Sequence, residues 1–318
     1  MRKLNRVTVL APLYNEREIL PSLLERLENV VNNATIRIDV VLVDDGSMDG
    51  SDRVLENFCS GKKNFSFISL SRNFGHAAAI SAGLHEVDAE SEAVFIIDGD
   101  LQDPPELLQQ FVSKMEEGYD VVYGIRQHRK EGFLKKAAYK TYYRLLKRFS
   151  NVEMPLDAGD FALVSARVIR IMNEMPEESR YLRGMRSWVG FKQTGIQYNR
   201  ESRKNGHSKY SWRALFKLAF NGLFNFSEFP IRFIGYVGLI TILVSLGYLG
   251  VTLYKKLVFG TVPEGFTALI FAIVLFAGVQ LLALGIIGEY VLRIFFQVKK
   301  RPLYIVRSRI LKGEQKNG

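Results

Sequence analysis

Two carboxylates close an apolar run in Ala93-Val94-Phe95-Ile96-Ile97-Asp98-Gly99-Asp100, and Leu101-Gln102-Asp103-Pro104-Pro105 follows. The run reads as a buried strand over Val94–Ile97. In an α/β sheet, residues just past the carboxyl end of a parallel strand face the ligand crevice. Asp98 and Asp100 would offer hard oxygen donors there, suited to a divalent cation that also binds a diphosphate. A solvated strand-end turn uses the same residue types.

Other reactive residues recur at comparable places. Pro12, Tyr14 and Glu16 follow the strand-like run Val7–Leu10. Asp44 and Asp45 end a second run, Asp39–Val43, and open Asp44-Asp45-Gly46-Ser47-Met48-Asp49-Gly50. An Asp so placed can accept from a pyrimidine N–H or a ribose hydroxyl, and Tyr14 can cover a base. Asp45, Ser47, Asp49, Gly50 and Glu56 also match the spacing of an EF-hand calcium loop. That motif needs a helix on both sides, and a strand precedes this one. Ser71-Arg72-Asn73-Phe74-Gly75-His76 opens a helix, where free N–H groups and Arg72 favour an anion. His76 itself reads as a cap or structural residue. Tyr123-Gly124-Ile125-Arg126 places another cation after a strand. Leu156-Asp157-Ala158-Gly159-Asp160-Phe161 adds two carboxylates that could position an acceptor. Arg203, Ser208 and Lys209 lie in a basic, Gly-containing loop that could close over phosphates as a leaving group departs. A juxtamembrane basic patch has the same composition.

These residues need a scaffold, and the pattern supplies one. Helical stretches at Glu16–Val31, Ser51–Phe58, Ala77–Val87 and Glu106–Glu117 alternate with strand-like runs that continue through Phe65–Leu70 to Val121–Tyr123. Such alternation implies βαβ units and a mostly parallel sheet. Neither a GxGxxG turn after the first strand nor a Walker A loop is present.

The pattern changes near Trp212. Ser211–Ser227 is an aromatic-rich amphipathic stretch suited to a membrane interface. Residues 231–254 and 266–291 are each long and apolar enough to span a bilayer, joined by a polar connection over Lys255–Glu264. Glu289 lies near the inner end of the second span, where it would pair with a basic group at the interface or mark a lipid head-group site. The expected organisation is a cytosolic catalytic domain over 1–210, an interfacial helix over 211–230, two transmembrane helices within 231–296 and a basic cytosolic tail over 297–318. Two spans return the chain to its starting side, and the Lys/Arg-rich tail favours the cytosol for both termini. The N-terminus lacks the apolar region of a signal peptide. The 318 residues carry a net charge of +10 and one cysteine, Cys59, which excludes an internal disulfide. The positive charge calls for an anionic partner. Basic residues at 129–148, mixed with Phe133, Tyr139, Tyr142 and Tyr143, fit anionic lipid beside the two spans, so nucleic acid is set aside. Gly235, Gly238, Gly285 and Gly288 would permit close helix contact in a homo-oligomer.

Taken in order, the motifs Pro12-Leu-Tyr14-Asn-Glu16, Asp44-Asp45-Gly-Ser47-x-Asp49-Gly, Asp98-Gly-Asp100-Leu-Gln102, Gly124-Ile-Arg126, Gly159-Asp160-Phe161 and Arg203-x-x-Gly206-x-Ser208-Lys209 resemble the polyisoprenyl-phosphate glycosyltransferases. These are the dolichol-phosphate mannose synthase-like branch of family-2 glycosyltransferases, and the likeness is to bacterial members with a two-helix anchor. Arg183-Gly-Met-Arg186-Ser-Trp188 partly resembles the Gln-x-x-Arg-Trp of processive polysaccharide synthases. The resemblance implies a nucleotide-diphospho-sugar transferase (Rossmann-like) α/β fold. It implies that Pro12, Tyr14, Glu16, Asp44, Asp45 and Asp98, with Arg72, hold the nucleotide. Asp98, Asp100 and Gln102 would surround Mg2+ or Mn2+. Asp160, with Asp157 as second choice, would serve the acceptor, and Arg126, Arg203, Ser208 and Lys209 would contact phosphates. The implied reaction is inverting transfer of a sugar to polyprenyl phosphate at the inner membrane of a bacterium, from UDP-glucose first and GDP-mannose second. A processive synthase, which would need more spans, and a non-catalytic nucleotide-sugar sensor remain alternatives at this point.

Overall fold

The computed structural model describes residues 3–127, 158–178, 180–199, 229–260 and 265–316. Those up to 127, those from 158 to 199 and those from 301 onward form one compact unit; the two long helices form another.

In the first unit the apolar runs become β1 (Arg6–Leu13), β2 (Arg37–Asp44), β3 (Phe65–Leu70) and β4 (Ala93–Ile96). Between them lie α1 (Leu20–Asn33), α2 (Ser51–Cys59) and α3 (His76–His85). A 3-10 turn, Pro105–Leu107, leads into α4 (Leu108–Glu116), then β5 (Val121–Gln127). Beyond come β6 (Ala158–Ser165), α5 (Ala166–Glu174), α6 (Leu182–Trp188) and β7 (Gln193–Asn199). The expected helix from Glu16 starts at Leu20, with Pro21 in its first turn, where a missing N–H costs nothing.

With two strands near the C-terminus, β8 (Val306–Leu311) and β9 (Glu314–Lys316), the sheet order is β7-β5-β6-β4-β1-β2-β3-β8-β9. Its centre, β4-β1-β2-β3, is parallel, as βαβ alternation requires. The flanks add antiparallel pairs, β6 to β4 and to β5, while β7 runs parallel to β5. The chain steps outward from β1 to β3, then crosses back to lay β4 on the other side of β1. The crevice at such a reversal is where open α/β sheets bind ligands.

Alternate strand residues feed the two faces. Val7, Val9 and Ala11 pack with Leu20, Leu24, Leu55 and Phe111 of α1, α2 and α4. Leu10 and Val43 face α3, which approaches so closely that a Cβ on Gly83 would lie 2.1 Å from Leu10 Cδ1. Phe161 stacks against Phe95, Phe111 and Tyr198 with ring centroids 4.9–5.1 Å apart. That anchor fixes β6 and turns its neighbour Asp160 to the opposite face.

Residues 297–318, expected as a basic tail, contain β8 (Val306–Leu311) and β9 (Glu314–Lys316). β8 pairs antiparallel with β3, and Ile310 is buried in the core cluster. Charge hides this strand in the sequence, because Arg307 and Arg309 interrupt its apolar pattern and Lys312 follows it. In the structure they pair with Asp52, Glu86 and Asp88.

The second unit consists of α7 (Phe229–Phe259) and α8 (Phe266–Lys299). Within them, Phe233–Phe259 (27 residues) and Leu275–Lys299 (25 residues) are long and apolar enough to cross a membrane. Large apolar side chains such as Leu243, Leu257 and Leu281 stay exposed along both helices. Lys255 and Lys256, expected in the connection, continue α7, which runs on to Phe259 before Gly260 turns left-handed. Glu289 pairs with Arg293 one turn later, at 3.0 Å. The interfacial stretch 211–227 and the basic segment 129–148 lie outside the described residues.

Cys59 is fully buried in the core cluster, and burial pushes its thiol up to about 12. A thiol reagent at pH 8 is therefore expected to leave the native chain unmodified and to label its one cysteine after denaturation. Labelling of the native chain at the denatured rate would contradict this packing.

Candidate active site

The carboxyl ends of β1 and β2 are tied together by their own loops. Asn15, with a left-handed φ of +53°, donates its N–H to Ser47 Oγ (2.8 Å) and accepts from the Met48 N–H (2.9 Å). The Glu16 N–H donates to Ser51 Oγ (3.2 Å), and the Asp45 N–H donates to the Leu13 carbonyl (2.8 Å). Pro12 lies within β1, while Tyr14 is 36% exposed at the rim. Asp44 and Asp45 are buried beneath this rim.

Asp44 accepts from the Ser47 N–H at 3.2 Å and lies 3.5 Å from Ser69 Oγ. Asp45 accepts from the N–H groups of Phe74 (2.7 Å) and Gly75 (2.9 Å). It thereby draws the loop carrying Arg72 and His76 onto the end of β2. Burial pushes both carboxyls above the usual carboxylate range, and these hydrogen bonds oppose the shift. Gly46 is required here: its φ is +69°, and a Cβ would meet the Arg72 backbone at 2.4 Å.

Past β4 the chain makes a tight turn. Leu101 has a φ of +61°, and the Gln102 N–H donates to Asp100 Oδ1 at 3.2 Å. Asp103 is buried and accepts from the Tyr198 hydroxyl (2.6 Å), which in turn accepts from Arg126 Nε (3.3 Å). Arg126 Nη2 lies 4.0 Å from Asp98 Oδ2. His76 Nε2 lies 3.7 Å from Asp98 Oδ1 and 3.5 Å from Asp160 Oδ2. Arg183 grips Asp160 through Nε (3.1 Å) and Nη2 (3.2 Å). Arg186, buried behind them, donates from Nη2 to the Gly159 carbonyl (3.3 Å). Residues from β3–α3, β4, β5, β6 and α6 thus converge on one place.

The charges there are mutually dependent. Burial would raise the Asp160 carboxyl, but Arg183 and His76 together hold it well below the carboxylate range. Burial would lower His76, but its hydrogen bond to Asp160 and the charge of Asp98 push it up to about 9. Asp160 is therefore ionised at neutral pH and a weak proton acceptor.

Among the described residues no three His, Cys, Asp or Glu side chains converge as a metal cage. Asp98, Asp100 and the Gln102 amide carry hard oxygens, a donor chemistry that would suit Mg2+ or Mn2+ if substrate phosphates completed the coordination.

Of the residues singled out from the sequence, Asp98, Arg126 and Asp160 meet in this cluster. Asp100 and Gln102 form the adjoining turn; Pro12, Tyr14, Glu16, Asp44, Asp45 and Arg72 border the β1–β3 side. Asp157, Arg203, Ser208 and Lys209 lie outside the described residues. His76, Arg183, Asp103 and Tyr198 were not singled out as functional. His76 carries a signal in retrospect, as the first helical residue after a strand-end loop. The Arg183–Trp188 run was visible only as a partial likeness to another branch.

With this geometry in view, the comparisons place the chain. It belongs to glycosyl transferase family 2, whose model matches residues 8–171, and it is a glycosyltransferase. An uncharacterized glycosyltransferase, YkcC, of Bacillus subtilis is 38% identical over 302 residues, covering 95% of this chain and 93% of the relative. A prophage bactoprenol glucosyl transferase homolog of Escherichia coli is 31% identical, covering 95% and 98%. The bactoprenol glucosyl transferase of Shigella phage SfII is 32% identical with the same coverage. Among solved structures, mannosyl-3-phosphoglycerate synthase from Rubrobacter xylanophilus matches with a TM-score of 0.48 at 15% identity, covering 69% of this chain and 71% of that one.

His76 gains its acidic partners only in the folded chain. Its stabilising contribution is fully present below the unfolded value of 6.5 and is lost as pH rises through about 9. Without added metal, thermal denaturation of His76→Gln should fall below wild type at pH 6 to 7 and converge with it by pH 10. A gap that stays constant with pH would contradict this account of the cluster.

Proposed function

We infer that the chain transfers a sugar, glucose first among candidates, from a nucleotide sugar to polyprenyl phosphate with inversion of the anomeric centre. One observation carries the reading: Asp98 of the strand-end acid pair and Asp160 of Gly-Asp-Phe share one imidazole, at 3.7 and 3.5 Å. Donor-side and acceptor-side acids of the motif set therefore meet at the reversal point of the sheet. The full-length relatives named bactoprenol glucosyl transferases support the acceptor and the sugar.

In this reading Tyr14 covers the base, while the Asn15–Glu16 and Ser47–Ser51 loops, braced by Asp44 and Asp45, shape its pocket. UDP-glucose is the first candidate donor and GDP-mannose the second. Asp98, Asp100 and Gln102 hold a divalent cation, which when bound offsets the charge of the departing diphosphate. Arg126 adds positive charge beside Asp98. Arg203, Ser208 and Lys209 are assigned to the phosphates, and Asp157 remains second to Asp160 on the acceptor side. The acceptor phosphate has a second pKa of about 6, so it attacks already ionised. Asp160, kept charged by Arg183 and His76, orients that attack and abstracts no proton.

The setting follows from chain connectivity. β8 follows α8, and β3 precedes α7, yet both belong to one sheet. If each helix crosses the bilayer once, both ends of the hairpin emerge on the same side. The basic residues near them favour the cytosolic face of the bacterial inner membrane.

The test uses the full chain in lipid vesicles with undecaprenyl phosphate and a panel of labelled nucleotide sugars. A lipid-linked monosaccharide is the expected product, with UDP-glucose the best donor. Chelation should abolish transfer and Mn2+ or Mg2+ restore it. Asp100→Ala should lower kcat by roughly two orders of magnitude. Wild-type activity in Asp100→Ala with the same metal response would overturn the metal assignment. A soluble, high-mass glycan would overturn the single-transfer reading.

A further inference from the structure

The last strands of the chain reach the donor side of the site. β8 pairs Ser308 with Ser69 and Val306 with Leu70 of β3, which leaves Arg307 as the extra residue of a β-bulge. Strict alternation would put Arg307 on the same face as Arg309, whose Nη1 meets Glu86 at the end of α3 (2.8 Å). The bulge re-aims it. Arg307 Nη2 and Nε instead donate to Ser69 Oγ at 2.8 and 3.2 Å. Nη2 also lies 3.4 Å from Asp52 Oδ2, at the start of α2, and 3.9 Å from Asp44 Oδ2. Ser69 and Asp44 are buried, whereas the Arg307 side chain is about half exposed.

The consequence is a chain of contacts from the C-terminal strand to the rim of the donor pocket. Arg307 holds Ser69, Ser69 abuts Asp44, and Asp44 receives the Ser47 N–H. Ser47 receives the Asn15 N–H at the end of β1. Neighbouring contacts fasten the same strand: the Ser71 N–H donates to the Ile305 carbonyl (2.8 Å), immediately before Arg72.

We propose that Arg307 is a positioning residue for the nucleotide: through Ser69 and Asp44 it sets the loop that shapes the donor pocket, so the strand after the second long apolar helix is part of the donor site. This rests on the donor-site reading given above. Arg307 need not touch the nucleotide; its planar guanidinium bridges a hydroxyl and two carboxylates, geometry that an ammonium cannot reproduce fully.

The experiment measures calorimetric binding of UDP and of GDP, with Mn2+, to the detergent-solubilised full chain. Arg307→Met should weaken whichever nucleotide the wild type prefers by roughly tenfold, the effect of losing a charged hydrogen bond at a buried partner. Arg307→Lys should recover part of that loss. In turnover assays the donor KM should rise while kcat and the acceptor KM stay near wild type. Arg309→Met removes an ion pair from the same strand away from Asp44 and should bind nucleotide as wild type does. Ser69→Ala, which cuts the relay without removing a charge, should also weaken binding and serves if Arg307→Met fails to fold. Wild-type nucleotide affinity in Arg307→Met and Ser69→Ala would overturn the proposal. So would an equal loss in Arg309→Met, since strand docking alone would then explain the effect. Absence of UDP and GDP binding to the wild type would end the donor-site reading itself, and the role of Arg307 with it.

Discussion

Buried carboxylates at the carboxyl edge of one sheet must each find compensation, and that requirement organises the site. An uncompensated charge there would cost several kcal/mol or force protonation. Each acid is answered by a different part of the chain. Asp45 takes two N–H groups from the β3–α3 loop; Asp103 takes the hydroxyl of Tyr198 on β7. Asp160 takes the guanidinium of Arg183 on α6. Asp45 and Asp160, proposed for ligand chemistry, are thus also pins that hold the surrounding loops.

In the proposed reaction this arrangement makes a weak proton acceptor adequate at the centre. An acceptor that arrives ionised needs orientation and a balanced field more than deprotonation. His76 and Arg183 keep Asp160 charged, and Arg126 stands beside Asp98. Arg183 and Arg126 carry permanent charge, so this part of the field is set before a substrate enters.

Local features were legible in the sequence; distant pairings were not. The alternation of apolar runs and amphipathic stretches disclosed β1 to β5 and their helices, because each such element announces itself within a few residues. The Asp-x-Asp and Asp-Asp-Gly-Ser stations were legible because strand ends and turns have local chemistry. The antiparallel flanks were less so, since a short strand between α-helices does not state its direction. His76 and Arg183 drew no functional reading because their importance arises from contacts across 84 and 23 positions of sequence; the former figure separates His76 from Asp160. β8 escaped notice because its arginines look like a solvated tail until Asp52 and Glu86 are placed opposite them. The extension of α7 past Lys256 shows the reverse case: lysine is a good helix former, and only Gly260 stops the helix.

The union of β8 with β3 also has a bearing on biosynthesis. Arg307 and Ser69 are 238 residues apart, with both long apolar helices between them. A ribosome therefore releases β3 long before its outer neighbour exists, and the sheet carries an open edge while the hairpin is made. Only when the segment beyond α8 emerges can that edge close. The β3 side of the sheet is thus completed after the two long apolar helices have been synthesised.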